Sequence, residues 1–191
     1  PFYNHLQAGT LPVVIAPALV LADRPEKIRL PLDDTSTHLG PDLWPMFRQV
    51  SEELLILNPY FIPGHDGVAA LTEAVSRGAR VIVLTNSLAS NDVAIVHGHY
   101  AKYRKALLRA DVELFELRVD RPTSTSSDLA DEGDEAHMSL HVKTFIFDRK
   151  KTFIGSLNLD PRSVYQNTEL GVVVEDATMA EEIATITIAR L

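Results

Sequence analysis

The sequence predicts an α/β sandwich in which a mixed, mostly parallel β-sheet is flanked by helices. Two patterns support this fold class. Continuously apolar segments at 54–57 and 81–84 are typical of buried strands. Amphipathic segments of about 10 to 15 residues separate the strands, and this alternation favours parallel pairing. The chain has 191 residues, 46% of them apolar, which is enough for one domain with its own core.

The first 41 residues are expected to form an irregular connector. Pro and turn residues are frequent there, and only short strands at 13–15 and 27–31 are predicted. Asp42 is the predicted N-cap of a helix, because apolar residues recur at helical spacing after it up to position 50. The next elements are a strand at 54–57, a helix around 68–75 and a strand at 81–84.

The remaining residues predict further strands and helices on either side of a polar loop. Pro, Ser, Thr and acidic residues fill 118–137, which predicts a mobile surface loop. Its acidic run at 128–135 is interpreted as a solvated surface, with a regulatory lid as the alternative. The other predicted elements are a helix at 96–110, a strand at 112–117, a β-hairpin over 140–154 with its turn at 148–150, a strand at 170–174 and a helix at 179–191.

Composition narrows the function classes. The net charge of −8 disfavours general binding to nucleic acid. The absence of cysteine excludes disulfides and thiolate metal sites, and it is consistent with a cytoplasmic location. No segment approaches the roughly 20 apolar residues that a membrane-spanning helix needs, so we expect a soluble chain. Because the first residue is Pro and the last residues are apolar, we expect a piece of a longer protein.

His141 and Lys143 are the strongest candidates for chemistry. They are two residues apart on a predicted strand, so both side chains should leave the same face. Lys143 would supply positive charge to phosphate oxygens, and a neutral His141 could attack phosphorus or transfer a proton. Across the predicted hairpin, Gly155 would let the backbone approach a ligand, Ser156 adds a hydroxyl, and Asn158 adds an amide that could donate to phosphate.

Glu169 is expected to orient the histidine. It lies at the start of a predicted strand, where its carboxylate could accept from the second ring nitrogen of His141 and stabilise the imidazolium. For Asp148, a role in stabilising the turn and a role in supporting catalysis remain equally open. Ser156 could likewise belong to the site or only stabilise its turn.

Four other polar positions are weaker candidates for a functional role. His97 and His99 are at positions i and i+2 of a predicted helix and do not face one another, so a surface or channel role is favoured over metal binding. Two segments, 58–61 beginning at Asn58 and 86–87 beginning at Asn86, follow predicted parallel strands, where ligands of α/β sheets tend to bind. They are therefore candidates for the substrate entrance, with an ordinary loop role as the equal alternative.

The stretch HVKTFIFD, followed by GSLNLDPRS and NTE, resembles the HKD motif of the phospholipase D superfamily. The hydrophobic and turn pattern over 58–191 is similar to the C-terminal half of that fold. The stretches LADRPEKI, NPYFIPGHDGVAAL, LTNSLASNDVAIVHGHYAKYRKALL and VELFELR resemble bacterial cardiolipin synthases of the C type.

This resemblance implies a phospholipase D-type sandwich that forms one half of a pseudo-twofold enzyme. Residues 1–41 would then be a connector from a missing N-terminal half, and 42–191 a C-terminal domain with one HKD motif. The implied reaction passes through a phosphohistidine and needs no metal or cofactor. His141 would act as the proton-transferring acid and base, Lys143 and Asn158 as phosphate ligands and Glu169 as the orienting acid, while Asp148 supports the hairpin.

The resemblance further implies phosphatidyl transfer between phospholipids to make cardiolipin. Its alternatives are a lipid hydrolase, a nuclease and a catalytically silent half-domain. The implied partners are a phospholipid substrate and a second HKD motif, from the N-terminal half or from a second copy in a homodimer. The parent protein is expected in the cytoplasm, peripherally associated with the inner membrane.

Overall fold

The computed structural model describes residues 2–10, 15–90, 94–118 and 139–191. Within these ranges the helices are α1 Phe2–Gln7, α2 Gly40–Gln49, α3 Gly64–Ser76, α4 Ala94–Arg109, α5 Pro161–Tyr165 and α6 Ala177–Ile188. The strands are β1 Ala18–Ala22, β2 Glu53–Leu57, β3 Arg80–Asn86, β4 Glu113–Leu117, β5 Thr144–Phe147, β6 Lys151–Gly155 and β7 Leu170–Val174. No helix in the described ranges is long and apolar enough to cross a membrane.

The strands form one mixed sheet in the order β1-β7-β6-β5-β2-β3-β4. The β2–β3 and β3–β4 pairs are parallel, as their helical connections require. The β1–β7, β7–β6, β6–β5 and β5–β2 pairs are antiparallel. The α/β class and the mixed sheet are therefore confirmed, but antiparallel pairs outnumber parallel ones. The hairpin turn between β5 and β6 is too short for a parallel crossover.

Helices cover both faces of the central strands. Leu54 and Ile56 of β2 belong to a core shared with α2, α3 and α4, whereas Leu55 and Leu57 pack with Ala180 and its neighbours in α6. The alternation follows from the two-residue period of a strand. Burial on both faces explains why this segment is continuously apolar, and each buried aliphatic side chain contributes about 2 kcal/mol to stability.

Several local predictions need correction. Residues 27–29 of the strand expected at 27–31 belong to a 3₁₀ helix, Pro25–Arg29, whose first position is occupied by a proline. Helix α2 begins at Gly40, and Asp42 lies in its first turn instead of capping it. The β5 strand begins only at Thr144, so His141 and Lys143 precede the strand. The predicted strand at 13–15 falls largely outside the described residues, and the acidic run at 128–135 falls wholly outside them.

Candidate active site

The predicted site residues, with one exception, meet at one end of the sheet. The register pairs Thr144 with Leu57 of β2 and with Ile154 of β6, and it pairs Gly155 with Gly171 of β7. One end of the sheet is therefore shared by four segments: those that follow β2 and β6 and those that precede β5 and β7. With strands about 4.8 Å apart, Lys143 and Glu169 are separated by about 10 Å of sheet.

His141 and Lys143 form a close pair at this end. The Lys143 ammonium lies 3.4 Å from each ring nitrogen of His141 and donates to the His141 carbonyl at 2.9 Å. Of these three contacts, the hydrogen bond to the His141 carbonyl is the shortest. The lysine is 8% exposed, whereas the histidine is exposed to solvent. The site thus presents an accessible imidazole beside a largely buried positive charge.

Asn86, at the end of β3, holds the segment that leads to His141. Its side-chain oxygen accepts from the Leu140 N–H at 2.8 Å, and its amide nitrogen donates to the Leu140 carbonyl at 3.1 Å. The residue is only 2% exposed. The sequence left a substrate-entrance role and an ordinary loop role equally open for Asn86, and the structure gives the residue a buried structural contact. It replaces the strand pairing that residues 139 and 140 do not make.

Glu169 is buried, and its carboxylate is held by two hydroxyl groups. Ser163 of α5 donates to one carboxylate oxygen at 2.6 Å, and Ser156 donates to the other. Among the described residues the His141 ring contacts Lys143 and not Glu169, which differs from the expected bond to the second ring nitrogen. Ser156 also accepts from the Leu170 N–H at 3.1 Å. Ser156 therefore orients the acid and joins β6 to β7.

Asn158 lies in a segment that is fixed from two sides. Its own N–H donates to the Ser163 hydroxyl at 3.2 Å. Asn58, fully buried after β2, donates to the Leu157 carbonyl at 3.2 Å and accepts from the Leu159 N–H at 3.0 Å. The side-chain oxygen of Asn158 is buried without a hydrogen-bond partner among the described residues. The backbone here is positioned by protein contacts, which leaves the amide group available for another role.

Asp160 adds a second carboxylate behind this segment. It caps α5 by accepting from the N–H groups of Arg162 and Ser163 at 2.9 and 3.2 Å. Burial raises its pKa, the two N–H donors oppose the increase, and the charge of Glu169 reinforces it. Asp160 and Glu169 both accept hydrogen bonds from Ser163, so the two carboxylates lie close together.

Asp148 is the exception, because it lies at the other end of β5. Five residues of extended chain put it about 16 Å from Lys143. Its carboxylate accepts from the N–H groups of Ser51, Glu52 and Glu53 at 2.8–3.2 Å and from the Ser51 hydroxyl at 3.1 Å. Burial would raise the pKa of Asp148, but these hydrogen bonds outweigh it and hold the pKa below its ordinary value. Asp148 therefore joins the hairpin to the start of β2.

The close packing of β6 against β7 explains why position 155 is a glycine. A Cβ atom at this position would lie 2.4 Å from the Leu170 carbonyl oxygen and 2.7 Å from the Gly171 Cα. The glycine permits close approach of β7, where the sequence suggested approach of a ligand.

A cavity of about 600 Å³ adjoins the Asn158 segment. It lies between α2, α3 and α5, and Arg48, His65 and Asp160 are among its polar residues. Its apolar wall includes Trp44, Phe47, Phe61, Leu71, Leu159 and Val164.

His97 packs against an aromatic side chain of its own helix, α4. Its ring makes an edge-on contact with buried Tyr100, with 5.6 Å between ring centroids. Within the described ranges no group of three or more His, Cys, Asp or Glu side chains could hold a metal ion.

Sequence reasoning missed Ser163, Asp23 and Lys27. Ser163 lies in the short helix after the GSLN segment and touches both Glu169 and Asn158. Asp23 and Lys27 come from the predicted irregular connector, yet Asp23 accepts from the Glu169 N–H at 2.8 Å. Their spacing of four residues next to a proline is a common helical pattern, so only the long-range contacts distinguish them.

Similarity to solved structures agrees with this architecture. The phospholipase D family member Nuc from Salmonella typhimurium superposes with a TM-score of 0.59 at 16% identity, over 88% of this chain and 91% of that one. Phosphatidylserine synthase from Haemophilus influenzae gives 0.61 at 16% identity, over 91% of this chain and 37% of that one. The fold, with its His-Lys pair at the strand ends, is that of a phospholipase D-type domain.

Sequence comparison identifies the family within that class. The family model described as "Cardiolipin synthase, PLD-like domain" matches residues 43–189, and the chain belongs to this family. Cardiolipin synthase C from Escherichia coli K12 is 46% identical over 183 residues, which are 95% of this chain and 38% of that relative. The resemblance drawn from the sequence is therefore confirmed, although the chain spans less than two fifths of that relative's length.

Proposed function

We propose that this chain supplies half of a phosphodiester-transferring active site that moves a phosphatidyl group between phospholipids. The observation that carries the proposal is the exposed His141 imidazole beside the nearly buried Lys143 ammonium. An anionic phosphodiester is attracted to that charge, and its bridging oxygens then lie within reach of a group that can transfer a proton.

The proposed reaction has two steps. A histidine nitrogen from a second half-site attacks phosphorus, and the bond to the leaving alcohol breaks while His141 gives that oxygen a proton. The acceptor alcohol then attacks the phosphohistidine, His141 removes its proton, and the histidine nitrogen leaves. Lys143 stabilises negative charge on the non-bridging oxygens in both steps. The side-chain NH2 group of Asn158 is the second proposed phosphate ligand, because an amide N–H donates to a phosphate oxygen and the Asn158 backbone is already held by Ser163.

Glu169 is proposed to act on His141 once substrate is bound. In the described structure its carboxylate is held by Ser156 and Ser163, about two strand spacings from Lys143. From this position it stabilises positive charge at the site through space.

A lipid is the favoured substrate class. The cavity beside the Asn158 segment combines an apolar wall with the cationic side chain of Arg48, which suits an amphipathic phosphodiester. The net charge of −8 argues against a nucleic-acid polymer. The cardiolipin synthase relative supports transfer to a lipid alcohol in preference to water.

The mechanism requires a second histidine. The sequence contains His-x-Lys only once, at His141. The proposed partner is the other half of a longer parent chain or a second copy of this one, meeting at the sheet end that carries His141. The parent would work in the cytoplasm, at the surface of the inner membrane.

The test uses the full natural protein that carries these residues, on vesicles containing phosphatidylglycerol. Mass spectrometry of the lipids distinguishes cardiolipin, which reports transfer, from phosphatidic acid, which reports hydrolysis. His141→Gln should reduce either product by at least about 10³-fold and leave the melting temperature within about 2 °C, because the side chain is exposed. Retained turnover in His141→Gln would contradict the proposal.

A catalytically silent half-domain is the second candidate, and the single His-x-Lys motif favours it for the isolated chain. Turnover by residues 1–191 alone, lost in His141→Gln and rising with the square of concentration, would exclude it. Turnover only after addition of the partner half would support it.

A further inference from the structure

A buried ion pair lies behind the proposed site and comes from a distant part of the sequence. The Lys27 ammonium donates to the Asp23 carboxylate at 2.5 Å, and the two side chains are 1% and 0% exposed. A pair so fully removed from water is expensive to bury and is weak evidence for stability alone. Its contacts therefore decide what it does.

The pair is bonded directly to two residues of the site. The Asp23 carboxylate accepts from the Glu169 N–H at 2.8 Å, and the Asp23 N–H donates to the Glu169 carbonyl at 2.9 Å. The Lys27 ammonium donates to the Ser163 carbonyl at 3.2 Å. Ser163 and Glu169 are in turn joined by their side chains at 2.6 Å. One charged pair therefore holds both ends of the Ser163–Glu169 contact.

Asp23 of the same pair also binds the residue that precedes helix α2. The other Asp23 oxygen accepts from the Leu39 N–H at 2.6 Å, immediately before α2. Residues 23 and 27 lie outside the 43–189 match to the family model. The segment before the family domain thus contributes contacts to the interior of its site.

We propose that Asp23 and Lys27 are positioning residues for the proposed phosphodiester-transfer site. They fix the backbone of Glu169 and Ser163, so that the Glu169 carboxylate and the Asn158 segment, which bonds to the Ser163 hydroxyl, keep their places relative to Lys143. Neither side chain touches the substrate. The proposal rests on the proposed function, since positioning has meaning only where Glu169 and Asn158 act.

Three variants separate positioning from stability. Asp23→Asn leaves a buried ammonium without its anion, and Lys27→Met leaves a buried carboxylate without its cation, so both should lower the melting temperature. The double variant Asp23→Asn/Lys27→Met carries neither charge and should recover most of that loss. An asparagine still cannot accept from both Leu39 and Glu169, because one of its two polar atoms is a donor, and a methionine side chain in place of Lys27 gives Ser163 no hydrogen bond.

The expected result is a divergence between stability and rate in the double variant. On phosphatidylglycerol vesicles, well below every melting temperature, its kcat should be about 10- to 100-fold below wild type while KM stays within about threefold. Lys151→Met is the matched control, since it breaks the 2.5 Å Lys151–Glu175 pair on the exposed surface and should leave kcat unchanged. Recovery of kcat together with melting temperature would overturn the positioning role and leave the proposed function standing.

His141→Gln in the same assay separates the two proposals. If it retains turnover, or if the wild-type protein shows none, the proposed function fails and the positioning role fails with it. If it is inactive while the double variant matches wild type, only the positioning role is wrong.

Discussion

Replacing Asp148 tests whether the acid of the HKD motif is structural. Its carboxylate accepts from three consecutive backbone N–H groups and one hydroxyl, and the residue has a positive φ of 50°. Asp148→Asn preserves size and tolerance of that backbone conformation but removes the charge and one acceptor atom. A hydrogen bond to a charged group contributes about 1.5–3 kcal/mol, and water can reach the exposed Ser51 and Glu52, so we expect a loss of about 1.5–2.5 kcal/mol.

This loss should appear in thermal unfolding. At about 2–4 °C per kcal/mol for a chain of this size, the melting temperature should fall by about 3–10 °C. Because Asp148 lies about 16 Å from Lys143, kcat should stay within about threefold of wild type at temperatures well below unfolding. Asp111→Asn is the control: Asp111 also has a positive φ, 57°, on an exposed turn, and its replacement should change neither quantity.

At low pH the wild type and Asp148→Asn should have the same free energy of unfolding. Hydrogen bonding holds the folded-state pKa of Asp148 below its ordinary value of 3.8, so the stabilisation is present above pH 3.8 and is lost as pH falls towards the folded-state pKa. An unchanged melting temperature combined with a hundredfold loss of kcat would refute this reasoning and assign Asp148 to the chemistry.

Two further predictions concern the strand contact and the buried histidine. Gly155→Ala should cost about 3 kcal/mol by chemical denaturation, because its Cβ would meet the Leu170 carbonyl oxygen at 2.4 Å; Gly98→Ala in α4, with nothing within 4 Å, should be neutral or stabilising. Burial and the charge of Lys27 lower the pKa of His38 below 6.5, so the unfolded chain binds the extra proton and stability should fall as pH drops below 6.5. His38→Asn should remove that part of the pH dependence, and an identical slope would contradict the assignment.

Much of the local structure could be predicted from the sequence. The strands at 54–57, 81–84 and 170–174 lie within the observed β2, β3 and β7, because continuous apolar runs between turn residues leave few alternatives. The hairpin was predicted from a short polar turn, and positive φ at Asp148 and Arg149 is consistent with that turn. The prediction failed at the start of β5: the strand begins at Thr144, so His141 and Lys143 precede it, although the Lys143 carbonyl still accepts from the Gly155 N–H at 3.1 Å.

The sequence by itself determined the fold class and which residue types are available for chemistry, since periodicity and motif spacing are local properties of a chain. Only the tertiary structure decided which of those residues meet. In the folded chain Asp148 and His141 lie at opposite ends of β5. The Glu169 carboxylate accepts from Ser156 and Ser163, and the Glu169 N–H donates to Asp23, 146 positions away in the sequence. The physical reason is that such contacts depend on strand order and register. These are determined by the packing of the whole sheet and not by any one segment of the chain.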